Sequence, residues 1–297
     1  MSVCRRVVTV LALLGLAAPG AAQTTAAAQT AGAPQHYVAL GDSYAAGPGI
    51  PEQRTHPIGC GRSTHNYPAL VARALGIRDY TDVSCSGART TDMTAPQLAP
   101  LDGGGTNQPQ FDALRPDTDL VTVTIGANDI DIADIIDTCT RLSATDPMSD
   151  PCRRQATADG TGRYAQRIPD AALKVAGVLR GIRERSPAAT VLLVGYLRIL
   201  PPAVGCYSVF PIARGDVPYV DGVQQQLTTM LADQADQHGA IFVDAYAAAL
   251  NRDLCQPAEV KWVEGSNPTS PAYPMHPNAC GMQAVAALTL DTLRAWG

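Results

Sequence analysis

Short apolar, β-branched runs alternate along the chain with longer stretches in which apolar residues recur every three or four positions. The runs Tyr37–Leu40, Tyr80–Val83, Leu120–Ile125, Thr190–Val194 and Ile241–Val243 predict strands. Leu120–Ile125 (Leu-Val-Thr-Val-Thr-Ile) and Thr190–Val194 (Thr-Val-Leu-Leu-Val) read as strands buried on both faces of a parallel sheet. Helical spacing covers Asn66–Leu75, Asp170–Arg185, Val220–Gln237 and Asn278–Trp296. Pro169 precedes the second helix, and Asn278 can cap the last. Strands alternating with helices predict an α/β fold: a central parallel sheet with helices on both faces. Gly47–Gly61, Pro96–Pro109 and Pro201–Pro218 are rich in proline and glycine and read as loops. No long polar linker divides the chain, so one domain is expected.

The first residues stand outside this pattern. Arg5-Arg6 precedes the apolar run Val7–Ala18, and Gly20-Ala21-Ala22 fits a small-residue cleavage site. Residues 1–22 therefore read as a signal peptide, 23–34 as a flexible leader and 35–297 as the domain. The apolar run is too short to span a bilayer. A secreted protein with no stable membrane span is expected. Cysteine usage agrees. The chain has eight, and loss of Cys4 with the signal leaves an odd set suited to disulfides in an oxidising compartment. No CxxC or paired CxxH spacing occurs, so no metal site is expected.

Composition narrows the function. The 297 residues carry a net charge of −5, which disfavours a nucleic-acid partner. An apolar share of 46% with so little net charge excludes a disordered chain.

In an open α/β sheet, ligands bind beyond the carboxyl ends of the strands. The first predicted strand is followed by Gly41-Asp42-Ser43-Tyr44, the second by Ser84-Cys85-Ser86-Gly87 and the third by Gly126-Ala127-Asn128-Asp129. A serine in a turn, a glycine whose N–H can be approached closely and an asparagine amide are the parts of acyl transfer: a nucleophile and donors for an oxyanion. His276, in a loop before the last helix, could supply the base. Each part alone is commonplace, since serine and asparagine favour turns and a lone loop histidine is usually a surface residue. The same holds for His36, His56, His65 and His238, which read as structural or exposed. Their joint order along one sheet edge is the informative feature.

That order resembles the SGNH (GDSL-type) hydrolases, and most closely their secreted actinobacterial esterase and lipase branch. Val38-Ala-Leu-Gly-Asp-Ser43-Tyr matches the first family block, with Tyr44 where the name motif has Leu. Gly87, Gly126-Ala-Asn128-Asp129 and His276 match later blocks. The resemblance implies a three-layer α/β/α, flavodoxin-like fold and a serine carboxylic-ester hydrolase that needs no cofactor and acts as a monomer on lipid or other acyl esters. It implies Ser43 as nucleophile, His276 as base, and an oxyanion hole from the N–H of Ser43, the N–H of Gly87 and the side chain of Asn128. It also implies the pairs Cys60–Cys85, Cys139–Cys152 and Cys206–Cys255, leaving Cys280 as an odd thiol.

One departure stands out. The family usually carries Asp three residues before the histidine; here that position is Tyr273. Its main-chain carbonyl is the expected orienter of the imidazole, with Glu264 and Asp42 as fallback carboxylates. Asp42 and Asp129 otherwise read as supports for their turns. For the substrate, the run Ile-Asp-Ile-Ala-Asp-Ile-Ile-Asp137 would put Ile132, Ile135 and Ile136 on one helical face and Asp131, Asp134 and Asp137 on another. That face is either solvated or an acidic rim to the cleft. The disulfide-braced segment Thr138–Arg167 could cover an acyl groove. Other readings are a phospholipase, a carbohydrate O-deacetylase, a non-catalytic surface-binding domain and a flavodoxin-like nucleotide binder. The last is disfavoured because Gly-Asp-Ser-Tyr puts a carboxylate in what would be its phosphate loop.

Overall fold

A computed structural model describes residues 34–158, 162–164 and 166–296. The segments expected from the sequence to be a signal peptide (1–22) and, but for residue 34, a flexible leader (23–34) lie outside these residues.

The chain order is β1 (His36–Gly41), α1 (Ser43–Ala46), α2 (Tyr67–Leu75), β2 (Asp79–Asp82), β3 (Gln97–Leu98), β4 (Thr106–Asn107), β5 (Leu120–Thr124), α3 (Ile132–Ser143), α4 (Pro151–Ala156), α5 (Arg167–Arg185), β6 (Thr190–Val194), α6 (Val217–Gln237), β7 (Ile241–Val243), α7 (Ala245–Ala248) and α8 (Ala279–Trp296). Single 3₁₀ turns lie at Ile58–Cys60, Thr90–Met93 and Gln110–Ala113. Five strands form one parallel sheet in the order β2-β1-β5-β6-β7. With the small β3-β4 hairpin left out, the order is the doubly wound 2-1-3-4-5.

Side-chain alternation along the strands separates two packed faces. Val38, Leu40, Val121, Val123, Val191 and Leu193 pack with Val175, Leu179 and Ile182 of α5 and Val220, Val223 and Leu227 of α6. Tyr37, Ala39, Leu120, Leu192 and Val194 pack instead with Val71 of α2 and Met282, Val285 and Ala286 of α8. This is the three-layer α/β/α arrangement. Every residue of β5 is buried, and the hydroxyls of its Thr122 and Thr124 meet those of Tyr37 and Tyr67 at 2.7 and 3.0 Å. Each such buried aliphatic side chain contributes roughly 1.5–3 kcal/mol.

The predicted strands and helices fall at the expected places: Thr190–Val194 and Ile241–Val243 match at both ends, and no other end differs by more than three residues. Asn66 caps α2 by accepting from the Ala69 N–H at 3.0 Å, and Asn278 does the same for the Gly281 N–H at 3.0 Å. Pro169 and Pro218 sit inside the first turns of α5 and α6, where a missing N–H costs no helical bond. The helix after Asn128 forms as α3, with Ile135 and Ile136 buried. The loop Pro96–Pro109 holds the β3-β4 hairpin, which the sequence pattern does not reveal.

Among the described residues, disulfides join Cys60 to Cys85, Cys139 to Cys152 and Cys206 to Cys255, as the resemblance implies. No cysteine among the described residues is free, so the expectation of an odd thiol at Cys280 fails.

Candidate active site

The strand order reverses direction between β1 and β5, and the turns after these two strands and after β2 build the site. At the first turn Gly41 has φ +142°, and a Cβ there would lie 2.6 Å from the Thr124 carbonyl oxygen. Only glycine lets the chain leave β1 this close to β5. Asp42 then caps α1, accepting from the Tyr44 N–H at 2.9 Å. Ser43 is thereby fixed as the first residue of α1.

His276 reaches Ser43 from the loop before α8. Its Nε2 lies 2.8 Å from Ser43 Oγ, and its Nδ1 lies 2.7 Å from the Pro274 carbonyl oxygen. A carbonyl can only accept, so Nδ1 carries the proton and Nε2 is free to accept from the serine hydroxyl. The orienting carbonyl thus belongs to Pro274, not Tyr273. Tyr273 instead accepts from the His276 main-chain N–H at 3.2 Å, and its own N–H donates to Pro48 at 2.9 Å. The physical reason lies at Met275, which has φ +61°. This left-handed residue folds the imidazole back onto the carbonyl two positions earlier. Burial holds the His276 pKa below the ordinary histidine range, partly offset by the bond to Pro274.

Neither fallback carboxylate touches the imidazole. Glu264 Oε2 pairs with Lys261 Nζ at 2.7 Å, and Oε1 accepts from Asn278 Nδ2 at 2.9 Å. Burial works against the charged form of Glu264, but Asn278, Lys261 and Thr269 together outweigh it and keep the pKa below the usual value. Its main chain, however, staples the histidine loop: Glu264 N–H donates to His276 O at 3.0 Å and Met275 N–H to Glu264 O at 3.1 Å. Asp42 accepts from the Tyr196 hydroxyl at 2.5 Å, and that hydroxyl accepts from the Ala127 N–H at 3.0 Å. The pair ties the nucleophile turn to the asparagine turn. Burial of Asp42, only partly offset by these bonds, pushes its pKa up to about 7.

The three expected oxyanion donors sit on neighbouring turns. Gly87 has φ +74°, a conformation that favours glycine. Neither the Ser43 nor the Gly87 N–H finds an acceptor among the described residues. Asn128 Nδ2 donates to the Ala88 carbonyl at 2.9 Å, which fixes the amide beside Gly87 and leaves its second hydrogen available. Asp129 supports the same turn by accepting from the Thr90 N–H at 3.0 Å and hydroxyl at 2.6 Å.

Several supporting residues carry no sequence signal. Gln110, fully buried, accepts from the Gly41 N–H at 2.7 Å and donates to the Gly41 carbonyl at 2.9 Å. Gln97 Nε2 donates to the Ser86 carbonyl at 2.7 Å. Both come from the loop region Pro96–Pro109 or its immediate end. Tyr196 is another.

The acidic-rim reading loses its charge. Asp131 pairs with Arg89 and with Arg167, the latter at 3.0 Å, and Asp137 pairs with Arg141 at 3.1 Å. The segment after α3 is also tied down: Asp216 accepts from the Cys152 and Arg153 N–H groups at 3.0 and 2.8 Å. Among the described residues, no group of three or more His, Cys, Asp or Glu side chains is placed to hold a metal ion.

Residues 39–284 match the GDSL-like Lipase/Acylhydrolase family. Over 97% of both chains the protein is 37% identical to Lipase 2 of Streptomyces coelicolor. It is 31% identical to a lipase of Streptomyces rimosus over 95% of each chain. Among solved structures, phospholipase A1 from Streptomyces albidoflavus NA297 superposes with a TM-score of 0.70 at 26% identity, covering 89% of this chain and 99% of that one. The extracellular lipase of Streptomyces rimosus gives 0.67 at 26% identity over 88% and 99%. With this fold, these strand-end turns and matches of this extent, the chain belongs to the GDSL-like lipase/acylhydrolase family of carboxylic-ester hydrolases.

Proposed function

We propose that the protein is an exported, monomeric lipase or esterase in which Ser43 and His276 work as a two-residue catalytic pair. The observation that carries this is the 2.8 Å contact from Nε2 to Oγ, with the Nδ1 proton held by Pro274 O. Ser43 Oγ attacks the ester carbonyl as His276 Nε2 takes its proton. The oxyanion forms among Ser43 N–H, Gly87 N–H and Asn128 Nδ2. His276 returns the proton to the leaving alcohol, then activates water to cleave the acyl-enzyme. The lowered His276 pKa keeps the imidazole neutral, and so basic, at pH 7. All four residues come from one chain. Three disulfides, and the extracellular relative, support export.

The test is hydrolysis of p-nitrophenyl esters from C2 to C16 by wild type, Ser43→Ala and Asn128→Ala. Loss of Asn128 is expected to lower kcat roughly 10²–10³-fold. Activity surviving in Ser43→Ala overturns the mechanism, and a preference for acetate over long chains rejects the lipase reading. The likeness to phospholipase A1 favours a second reading, cleavage of phospholipid acyl esters. Fatty-acid release from phosphatidylcholine vesicles, set against a triacylglycerol emulsion, separates the two.

A further inference from the structure

The residue after the nucleophile is tyrosine where the family's name motif has leucine, and leucine has no hydroxyl. Here the Tyr44 hydroxyl donates to the Met275 carbonyl at 2.8 Å. Met275 is the residue whose φ of +61° turns the imidazole back onto Pro274. For a non-glycine residue that conformation costs roughly 1 kcal/mol or more, and it persists only where neighbours hold it. Two bonds do so: Met275 N–H to Glu264 O at 3.1 Å, and Tyr44 to Met275 O. Only the second comes from the element that carries Ser43. The Tyr44 ring also packs between the rings of Tyr196 and His276, with centroids 5.2 and 5.4 Å away.

We infer that Tyr44 is a positioning residue that registers the base against the nucleophile, a task a carboxylate would otherwise share. This rests on the Ser43–His276 reading above. A triad carboxylate grips the imidazole at Nδ1. In this chain Nδ1 is held by a carbonyl of the histidine's own loop, so the ring is only as well placed as that loop. Tyr44 fixes the loop from the nucleophile's side through the backbone of Met275. It does not touch substrate.

The titratable groups around the imidazole are Ser43, Tyr44 and Tyr273. Further off, Asp42 is bonded to Tyr196, and Glu264 to Lys261 and Asn278. Burial is the main influence on the ring's pKa. A loosened loop would admit water and let that pKa climb back toward the ordinary value.

The experiment compares wild type with Tyr44→Phe, which keeps the ring and removes the hydroxyl. Competent sites are counted by covalent titration with a phosphonate ester, and kcat on p-nitrophenyl butyrate is expressed per titrated site. Expected for Tyr44→Phe is a fall in kcat of about 10-fold, the scale of one lost hydrogen bond, with KM within about twofold. The acid limb of kcat/KM should move to higher pH. Adding Met275→Gly, which takes a positive φ without strain, should recover part of the loss. Wild-type kcat and an unmoved limb in Tyr44→Phe would overturn the inference. So would a loss that lies wholly in the number of titratable sites, since the tyrosine would then only stabilise the fold. Ser43→Ala and His276→Ala separate the two levels. If either stays active, the catalytic pair itself is wrong; if both are dead while Tyr44→Phe is normal, only the role of Tyr44 falls.

Discussion

The His276 imidazole donates from Nδ1 to the Pro274 carbonyl at 2.7 Å and meets no carboxylate among the described residues. A neutral acceptor replaces the charged one of a triad. It fixes the tautomer but stabilises the imidazolium less strongly than an ionised carboxylate would.

Tyr273 is consequently expected to matter through its main chain. Its side chain is exposed, and no hydrogen bond of its hydroxyl is found in the site. Tyr273→Phe should keep kcat/KM within about twofold of wild type on p-nitrophenyl butyrate. A loss comparable to that of His276→Ala would show that the hydroxyl takes part in the reaction.

The pH dependence follows from the same contact. Burial lowers the His276 pKa, and the base must be neutral to accept the serine proton. Activity is therefore retained as pH falls through the ordinary histidine value near 6.5 and is lost only below it. Tyr273→Asp would place a carboxylate near the ring, whose centroid lies 5.7 Å from that of Tyr273. That charge favours the imidazolium, so the acid limb of kcat/KM should move upward. An acid limb above pH 6.5 in the wild type would contradict the geometry.

How much of this was legible in the chain depends on the kind of interaction. The strands β5 and β6 show as short runs of β-branched and aliphatic residues because nearly all of their positions are buried. Ser43, Gly87 and Asn128 are legible because each follows a strand directly and needs a residue type suited to a turn. His276 is legible by its place before a cappable helix. The identity of the orienting carbonyl is not. It turns on the positive φ of Met275, which no local preference of methionine predicts and which Tyr44 and Glu264 impose from 231 and 11 residues away in sequence. Gln110 is hidden for the same reason: it stands 69 residues from the Gly41 peptide it clamps, in a segment whose prolines suggest only a loop. The charges of Asp131 and Asp137 could be read, but their neutralisation by Arg89, Arg167 and Arg141 could be predicted only in part, from the i,i+4 pair.

Gln110 offers a test of how the nucleophile turn is supported. It satisfies both the N–H and the C=O of Gly41 in a fully buried setting. Gln110→Met keeps the side-chain length but leaves the buried Gly41 N–H unpaired, while the Gly41 carbonyl keeps the Cys85 N–H at 3.0 Å. The expected cost is roughly 1–3 kcal/mol of unfolding free energy, the scale of one unsatisfied buried group. Urea denaturation measures it. A change under about 0.5 kcal/mol would mean that water or a backbone shift replaces the bond to the Gly41 N–H.

Asp42 makes the stability of the fold depend on pH in an unusual direction. Its folded pKa of about 7 lies well above the ordinary 3.8, chiefly because it is buried. Between these values the native carboxyl holds a proton that the unfolded one has lost. Stability from this group is thus fully present below about pH 4, falls as pH rises toward 7 and changes no further above it. Asp42→Asn removes the titration while keeping a capping oxygen for the Tyr44 N–H. Compared with wild type, the variant should gain in Tm as pH is raised from 4 to 8, through a difference curve that rises to pH 7 and then levels. A flat difference across that range would show that Tyr196 and the Tyr44 amide hold Asp42 ionised, with bonds strong enough to cancel its burial.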